Sequence, residues 1–341
     1  MDDSQTFRIV IGSAGRRIYL HDWFEKALSR AGVSGEVHVT DADARSATYS
    51  HATYRHLMPA YASDEYFPAM VNLADRLRPA LLFSVNDYEI EALATSGLGQ
   101  RITELGTEVL GVPGDRHHLV HDKLLMSRAL TQEGIATPRT VLLTDLEGLA
   151  ELARSAPRII IKDRFGSGSS GLINVAAGDL SLAVEWATRS GALVPDGLIA
   201  QPALEGIEFG LDVVAPLKVG AHPVAVLARR KLRMRSGETD QAISADASPF
   251  LPLGERLTTW LGHRGSVDVD VIVADDGVPS VIDINPRFGG GYPFNHLAGA
   301  DLPALFVAQL NGGYGAELGE FLRYDVGVAS SKYEAIVGAA E

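Results

Sequence analysis

The sequence predicts a mixed α/β and α+β protein, in which a parallel α/β unit precedes two strand-rich units. Strands alternate with helices over residues 1–112, and this alternation is typical of a parallel sheet. After residue 158, two strands flank a short glycine-rich loop and form a hairpin. From about residue 202 onward, apolar strand patterns outnumber helical ones. We therefore expect three domains, over residues 1–113, 114–200 and 201–341.

The elements of the first unit follow from buried apolar runs and from helical spacing of apolar residues. The predicted strands are 7–12, 36–40 and 80–85, and the predicted helices pass through 20–28, lie near 64–77 and follow Asn86. A glycine turn at 12–15 joins the first strand to the first helix, and Asn86 is expected to cap the third helix. The Gly-Val-Pro-Gly stretch at 111–114 predicts the boundary to the second unit.

The second and third units are predicted in the same way. A helix at 115–133 is expected to carry Lys123. The further predicted strands are 140–143, 158–162, 172–176, 197–201, 209–215, 223–230, 265–273 and 278–284, and further helices lie near 145–154, 179–190, 254–262 and 301–311. An Asp-Asp-Gly turn at 275–277 folds the last two strands into a hairpin.

Composition and charge exclude several classes of function. The 341 residues are 46% hydrophobic and 21% charged, as in an ordinary globular protein. The 30 Lys and Arg against 43 Asp and Glu give a net charge of −13, which disfavours nucleic acid and anionic membranes as partners. Cysteine is absent, so disulfides and thiolate sites are excluded. Because the N-terminal stretch is acidic and no apolar run approaches about 20 residues, we expect a cytoplasmic protein.

A glycine- and serine-rich loop after Lys162 is the first candidate for phosphate binding. It comprises Gly166, Ser167, Gly168, Ser169, Ser170 and Gly171. The loop joins two strands rather than a strand and a helix, so its G-x-G-x-x-G pattern does not indicate a dinucleotide site. Its backbone N–H groups can reach phosphate oxygens, and Lys162 ends an apolar strand where an ammonium group needs an anion. A flexible surface hairpin is the alternative.

The strongest candidate site is the stretch Asp-Ile-Asn-Pro-Arg that begins at Asp283. Asp283 and Asn285 share one face of a strand, and their side-chain oxygens suit Mg²⁺ beside a phosphate. Arg287 offers a planar pair of donors for a phosphoryl oxygen. Across the predicted hairpin, Asp268 or Asp270 is expected to face Asp283. A solvated polar strand face is the alternative.

Two further stretches complete the set of candidates. In the first stretch, extended backbone can offer N–H and C=O groups to the edge of an adenine, and Glu208 can accept hydrogen bonds from ribose hydroxyls. The backbone segment comprises Gln201, Pro202, Ala203 and Leu204. In the second, four alternating cations would share one face of a strand; they are Arg229, Lys231, Arg233 and Arg235. No aromatic residues are interleaved with them, so a phosphate or carboxylate ligand is favoured over nucleic acid. An ordinary acidic loop and a solvated edge strand are the respective alternatives.

The order of these features resembles the ATP-grasp superfamily, and in particular its carbamoyl-phosphate-synthase-like carboxylate–amine ligases. The resemblance covers nearly the whole chain, and the stretch from Asp283 is its most specific part. It implies an ATP-grasp fold with an N-terminal Rossmann-like (pre-ATP-grasp) domain. It also implies ATP and Mg²⁺ as cofactors, with Mn²⁺ as an alternative. Dimers are common in this family, so a homodimer is a further expectation.

The resemblance also implies a role for each candidate residue. The ATP-binding residues are Lys123 and Lys162 at the phosphates, 166–171 in the lid over them, 201–204 at the adenine and Glu208 at the ribose. The Mg²⁺ ligands are Asp270, Asp283 and Asn285. The catalytic cations are Arg287, Arg233, Lys231 and Arg235. The family has Glu more often than Asp at position 283, so Asp283 reaches one methylene less far.

The implied activity is a ligase that joins a small carboxylate, expected to be an amino acid, to an amine through an acyl phosphate. One alternative is a bicarbonate-activating carboxylase or carbamoyl-type enzyme, which bicarbonate-dependent phosphate release would reveal. The other is a non-catalytic nucleotide-binding protein of the same fold, which tight ATP binding without turnover would indicate. No motif in the sequence recognises a particular substrate side chain.

Overall fold

The computed structural model describes residues 6–165, 172–189, 195–218 and 220–339. Within these segments the chain forms three β-sheets with helices packed against them. The glycine–serine loop at 166–171 lies outside the described residues, so its interpretation as a phosphate lid stays a prediction. Among the helices of the described segments, none has both the length and the apolar composition that crossing a bilayer requires.

The N-terminal sheet is parallel throughout, with the strand order β3–β2–β1–β4–β5. Its strands are β1 (Phe7–Gly12), β2 (Gly35–Asp41), β3 (Tyr54–Leu57), β4 (Leu81–Ser84) and β5 (Glu108–Val109), and its helices are α1 (Ile18–Arg30), α2 (Ala47–His51), α3 (Tyr66–Leu77), α4 (Asp87–Thr95) and α5 (Leu98–Glu104). Asn86 caps α4 as predicted, because its side chain accepts from two backbone N–H groups. Ligands bind such sheets where the strand order reverses, at the carboxyl ends of β1 and β4.

The predicted helix at 115–133 is wrong, because the chain breaks at Asp122 into α6 (Gly114–His121) and α7 (Lys123–Gln132). Asp122 is extended, and its carboxylate accepts from the N–H groups of Leu124 and Leu125, so it caps α7. The same carboxylate binds the Arg164 guanidinium, with nitrogen–oxygen distances of 2.8 and 2.5 Å. The break therefore fixes Lys123 in the first turn of α7.

The second sheet is small and antiparallel, with the order β6–β9–β7–β8. Its elements are β6 (Val141–Leu142), α8 (Leu146–Ser155), β7 (Arg158–Asp163), β8 (Ile173–Ala176), α9 (Leu180–Arg189) and β9 (Leu198–Pro202). The predicted hairpin of β7 and β8 is confirmed by their antiparallel pairing. The domain boundary expected at residue 200 falls within strand β9. The division of the chain at 113 and 200 stays a prediction.

The third sheet is antiparallel, with the order β14–β13–β10–β11–β12–β15. Its elements are β10 (Ile207–Ala215), β11 (Ala225–Arg235), β12 (Glu238–Ala245), α10 (Leu251–Leu261), β13 (Gly265–Val273), β14 (Pro279–Asn285), α11 (Tyr292–Leu297), α12 (Leu302–Leu310) and β15 (Ala329–Ser331). Valines 267, 269 and 271 of β13 are fully buried in one core with α10. The intervening aspartates therefore lie on the opposite face of the sheet.

Candidate active site

Two carboxylates and one amide lie side by side on β13 and β14. Asp270 is the cross-strand partner of Asp283, and Asp268 is the partner of Asn285. The prediction that one acid of β13 faces Asp283 is thereby confirmed, with Asp270 in that position. Cross-strand neighbours have Cβ atoms about 5 Å apart, so their side chains can bind one ligand together.

A β-bulge interrupts this pairing at Ile282, which stands beside Val281 opposite a single residue of β13. Because a bulged residue leaves the ladder, its carbonyl is available to another donor. Lys162 Nζ, at the end of β7, donates to this carbonyl at 3.2 Å. This contact ties the small second sheet to the strand that carries Asp283.

Two lysines act as counter-ions for the paired aspartates. Lys123 Nζ lies 3.1 Å from Asp283 Oδ1, and Lys231 Nζ lies 2.7 Å from both Asp270 Oδ1 and Glu208 Oε1. Burial opposes the charge of Lys231, but the two carboxylates outweigh it and raise the pKa of its ammonium group. Burial likewise opposes the charge of Asp283, and the nearby ammonium groups nevertheless lower the pKa of its carboxyl group.

Lys162 differs from these two lysines in its electrostatic environment. Burial lowers the pKa of its ammonium group, although Asp283 acts in the opposite direction. The neighbouring ammonium group of Lys123 lowers it further. Two cations so close together favour a multiply charged anion between them, and a phosphate chain is such an anion.

Arg287 connects the third sheet with the N-terminal domain. Its Nε and one terminal nitrogen donate to the two carboxylate oxygens of Asp87, at 2.5 and 3.1 Å. The same nitrogen lies 3.4 Å from Asn285 Oδ1. Asp87 begins α4, directly after the capping Asn86, so α4 positions the guanidinium group beside the amide.

A pocket opens between α4, α6 and the end of β14. Its wall includes Lys123, Asp283 and Asn285, so it reaches the aspartate of β14. The remaining lining is largely aromatic; it includes Tyr88, His117, His121 and Phe165. His121 stacks on both neighbouring rings, with centroids 5.8 Å from His117 and 5.7 Å from Phe165. The spacing of His117 and His121 places them on one face of α6, but no local pattern indicates that Tyr88 and Phe165 join them.

The donor set of Asp270, Asp283 and Asn285 fits a magnesium ion. All three offer oxygen atoms, which Mg²⁺ prefers, and they lie on one face of neighbouring strands. Lys123 and Lys231 already place positive charge against both carboxylates. A divalent cation could therefore replace the two ammonium contacts without creating an unpaired charge.

A buried ionic network lies beneath the glycine-rich turn that follows Arg287. Arg229 is 1% exposed and donates to Asp212 at 2.8 Å and to Asp268 at 2.5 Å. Asn295 also donates to Asp212, at 2.7 Å. Asp268 therefore serves as a counter-ion of Arg229, while Asp270 faces Asp283. The turn packs directly on this network at Gly291.

We predict that Gly291→Ala destabilises the fold by about 1–3 kcal/mol. A methyl group at this position would lie 2.5 Å from Cζ of Arg229, which cannot move without leaving its two carboxylates. Urea unfolding monitored by tryptophan fluorescence measures the change. Gly178→Ala is the matched control, since a Cβ there meets nothing within 4 Å. Equal stability of the two variants would contradict the predicted packing.

Arg233 and Arg235 lie away from the aspartate pair. Arg233 donates to Asp240 at 2.6 Å, and Arg235 pairs with Glu334 at 3.6 Å. Two register shifts in β11, on either side of Arg233, break the regular alternation that the basic stretch predicts. The structure thus brings Lys231 to Asp270 and places Arg229 in the core, and it leaves the two other arginines on the surface.

The segment 201–204 joins the second sheet to the third. Gln201 is buried and donates to Thr140 Oγ1 at 2.7 Å, while Pro202 ends β9. The N–H of Ala203 donates to the carbonyl of Arg158 at 2.9 Å. Glu208, which follows in β10, contacts Lys231. The predicted adenine and ribose contacts in this segment stay predictions.

A second charged cluster lies where the loop before α1 meets the third sheet. Glu238 binds Arg17 at 3.2 Å and Lys332 at 2.9 Å. A methyl group on Gly290 would lie 3.7 or 3.8 Å from all three side chains, so the cluster adjoins the turn after Arg287. It contains cations and an anion within reach of one ligand.

We predict that Glu238 stabilises the fold less as the pH falls from about 4.5 to about 2. Burial opposes its charge, but Arg17 and Lys332 outweigh burial and lower the pKa of this carboxyl group from 4.5 to about 2. A lowered pKa gives stability that is present above 4.5 and is lost as the folded group becomes protonated. The difference in unfolding free energy between the wild type and Glu238→Gln should therefore shrink over this interval. A difference independent of pH would contradict the ion pairs, and exposed Glu317→Gln controls for loss of one carboxylate.

Two family models match the chain over these same regions. The model of an ATP-grasp domain matches residues 120–291, and the model of a PylC-like N-terminal domain matches residues 9–110. The chain belongs to the ATP-grasp family. Its first domain is of the PylC-like N-terminal type, so the predicted family and fold class are both confirmed.

Solved structures share this fold at low sequence identity. The biotin carboxylase domain of Hydrogenobacter thermophilus 2-oxoglutarate carboxylase, with MgADP and bicarbonate, has a TM-score of 0.71 and 16% identity, over 94% of this chain and 73% of that one. L-amino acid ligase from Bacillus licheniformis has a TM-score of 0.68 and 16% identity, over 94% of this chain and 78% of that one. N5-carboxyaminoimidazole synthetase from Staphylococcus aureus has a TM-score of 0.66 and 15% identity, over 90% of this chain and 78% of that one. Among curated proteins, no sequence matches the chain.

Proposed function

We propose that this protein is an ATP- and Mg²⁺-dependent ligase that joins a small carboxylate, an amino acid, to an amine. The observation that carries the proposal is the set of Asp270, Asp283 and Asn285, which lies beside Lys123 and Arg287. Phosphoryl transfer depends on oxygen ligands for a metal and on fixed cations around the transferred group. The ATP-grasp family match supports the same assignment.

In the proposed reaction, a carboxylate oxygen attacks the γ-phosphorus of ATP, which gives an acyl phosphate and ADP. The amine then attacks the acyl carbon, the carbon–oxygen bond to phosphate breaks, and the amine loses a proton. Lys123 and Lys162 would hold phosphate oxygens, because the ammonium group of Lys123 contacts Asp283 and that of Lys162 donates to the neighbouring Ile282 carbonyl. Arg287, fixed by Asp87, would orient the substrate carboxylate.

The proposed metal ion would neutralise charge in this reaction and take no other part in it. Asp270, Asp283 and Asn285 would hold Mg²⁺, which supplies neutralisation of the charge on the phosphate oxygens. In exchange, Lys123 and Lys231 would be released from their carboxylates toward the nucleotide. Mn²⁺ is an alternative occupant, since it accepts the same oxygen ligands.

The cluster around Glu238 supports an amino acid as one substrate. Arg17 and Lys332 could bind a carboxylate, and Glu238 could bind an ammonium group. The cluster adjoins the glycine turn that follows Arg287. A molecule with a carboxylate and an ammonium group could therefore extend from the cluster toward Arg287. Glu238 pairs with both cations, so a bound amino acid would exchange these ion pairs for contacts of its own carboxylate and ammonium groups.

The experiment is to incubate the protein with ATP, Mg²⁺ and pools of amino acids and to follow phosphate release. We expect release that requires an amino acid pool, together with a product whose mass equals the two substrates minus one water. Bicarbonate-dependent release in the absence of amino acids would favour the carboxylase alternative. ATP binding with no release under any condition would favour a non-catalytic role, and no nucleotide binding at all would overturn the proposal.

Two further expectations from the sequence stay predictions. A homodimer is tested by light scattering of the purified protein across a range of concentrations. A cytoplasmic location is tested by fractionation of the source cells. Neither outcome changes the proposed chemistry, because the residues that carry it belong to one chain.

A further inference from the structure

Three polar side chains converge on the N-terminal domain, away from the aspartate pair. His21 and Asp22 are in α1, and His51 ends α2. Asp22 Oδ1 lies 3.1 Å from His21 Nδ1 and 2.7 Å from His51 Nε2. Potential ligand atoms of all three residues lie within 4.8 Å of one another. Two imidazole rings thus share one carboxylate oxygen.

A neutral His21 ring has too few N–H groups for the two carboxylates that face it. Nδ1 faces Asp22, while Nε2 has no hydrogen bond among the described residues and lies 3.6 Å from Glu25 Oε1. A neutral imidazole has one N–H, so either tautomer directs a nitrogen lone pair at a carboxylate. A metal ion at Nδ1 removes the conflict, because Nε2–H can then point toward Glu25. Metal-bound histidines commonly donate from the other nitrogen to a carboxylate.

We propose that His21, Asp22 and His51 form a binding site for Zn²⁺. Two imidazoles and a carboxylate are ligands that zinc accepts, and a water molecule would complete the tetrahedron. Tetrahedral ligands about 2.1 Å from zinc are roughly 3.4 Å apart. The two separations from Asp22 Oδ1, 3.1 and 2.7 Å, would therefore have to widen by less than about 1 Å. His21 is 2% exposed and forms a fixed wall, whereas Asp22 and His51 are each 37% exposed and leave an entrance.

The position of the site gives the metal a structural role. Thr48 of α2 binds the loop before α1, with its N–H donating to Gly15 at 2.9 Å. This loop carries Arg17, which contacts Glu238 in the third sheet. A zinc ion that joins α1 to α2 would therefore link the helix that follows the loop to the helix that contacts the loop at Gly15. The inference is independent of the proposed ligase activity.

The experiment is calorimetric titration of Zn²⁺ into the full chain after chelator treatment, with excess Mg²⁺ present to fill oxygen-only sites. We expect one zinc ion per chain and a melting temperature that rises with zinc. His51→Ala removes an accessible ligand and should weaken binding at least tenfold, on the order of the loss at other zinc sites. His118→Ala changes an exposed histidine elsewhere and should bind zinc as the wild type does.

A second measurement identifies the ligands directly. Co²⁺ in place of zinc should give the intense visible absorption of a tetrahedral ion, and Asp22→Asn should weaken or abolish it. Absence of stoichiometric binding would overturn the proposal. Equal zinc affinity in His51→Ala and the wild type would also overturn it, because the metal would then bind elsewhere.

Discussion

Replacing Asp283 by Asn should lower ATP-dependent phosphate release on the order of a thousandfold while the fold survives. The change keeps the shape of the side chain and removes the charge that faces Asp270 and contacts Lys123 at 3.1 Å. A metal ion would lose one anionic ligand, and Lys123 would lose its counter-ion. Initial rates of phosphate release and circular dichroism of the same samples measure the two parts of this prediction.

The matched control is Asp275→Asn, which removes a carboxylate from the exposed turn of the same hairpin. Its rate should stay within about twofold of the wild type, since surface changes away from a site have small effects. Titration of Mg²⁺ at fixed ATP adds an independent reading, and Asp283→Asn should require a higher concentration. A variant that turns over at the wild-type rate would remove Asp283 from the proposed metal site.

Replacing Arg229 by Met should cost about 3–5 kcal/mol of folding free energy. Methionine fills much of the volume, but Asp212 and Asp268 would remain buried without their shared cation. Burial already raises the pKa of Asp212 even with the guanidinium present. The loss should therefore become smaller at acid pH, where Asp212 can become protonated. Chemical unfolding at several pH values measures the effect.

Two comparisons separate the lost charge from lost packing. Arg235→Met, at the exposed end of the same strand, should change stability by less than about 0.5 kcal/mol. Adding Asp212→Asn and Asp268→Asn to Arg229→Met should recover part of the loss, because no buried carboxylate then lacks a partner. If the triple variant is less stable than Arg229→Met alone, the unpaired charges are not the cause.

The chemistry of the site is more predictable from the sequence than its exact architecture. Strict alternation around Asp268 and Asp270, followed by an Asp-Asp-Gly turn, predicts the hairpin that brings Asp270 to Asp283. These are local signals, in which each residue pairs with one less than 20 positions away. The lysine contacts of the same aspartates join parts of the chain more than 30 residues apart, and no local pattern specifies them.

The sequence misleads where a polar residue has two plausible environments. Alternating cations from Arg229 to Arg235 predict one basic face. Arg229 is nevertheless buried, because Asp212 on the adjacent β10 and Asp268 one strand further on β13 neutralise it. Helical periodicity across 115–133 hides the break at Asp122, although an aspartate before Lys-Leu-Leu is a recognisable helix cap. In both cases the environment depends on partners distant in the sequence, so the local segment alone does not specify it.

The bulge at Ile282 sets the phase of β14. Val281 and Ile284 belong to the same apolar core although they are three positions apart, whereas a regular strand directs such residues to opposite faces. The bulge takes Ile282 out of the ladder, so Val281 and Ile284 both face the core while Asp283 and Asn285 face the opposite side. If Ile282 were paired in a regular ladder, alternation would instead turn Asp283 and Asn285 toward the core. What Ile282 itself adds is a carbonyl outside the ladder, and through it Lys162 of the second sheet is tied to the strand that carries Asp283.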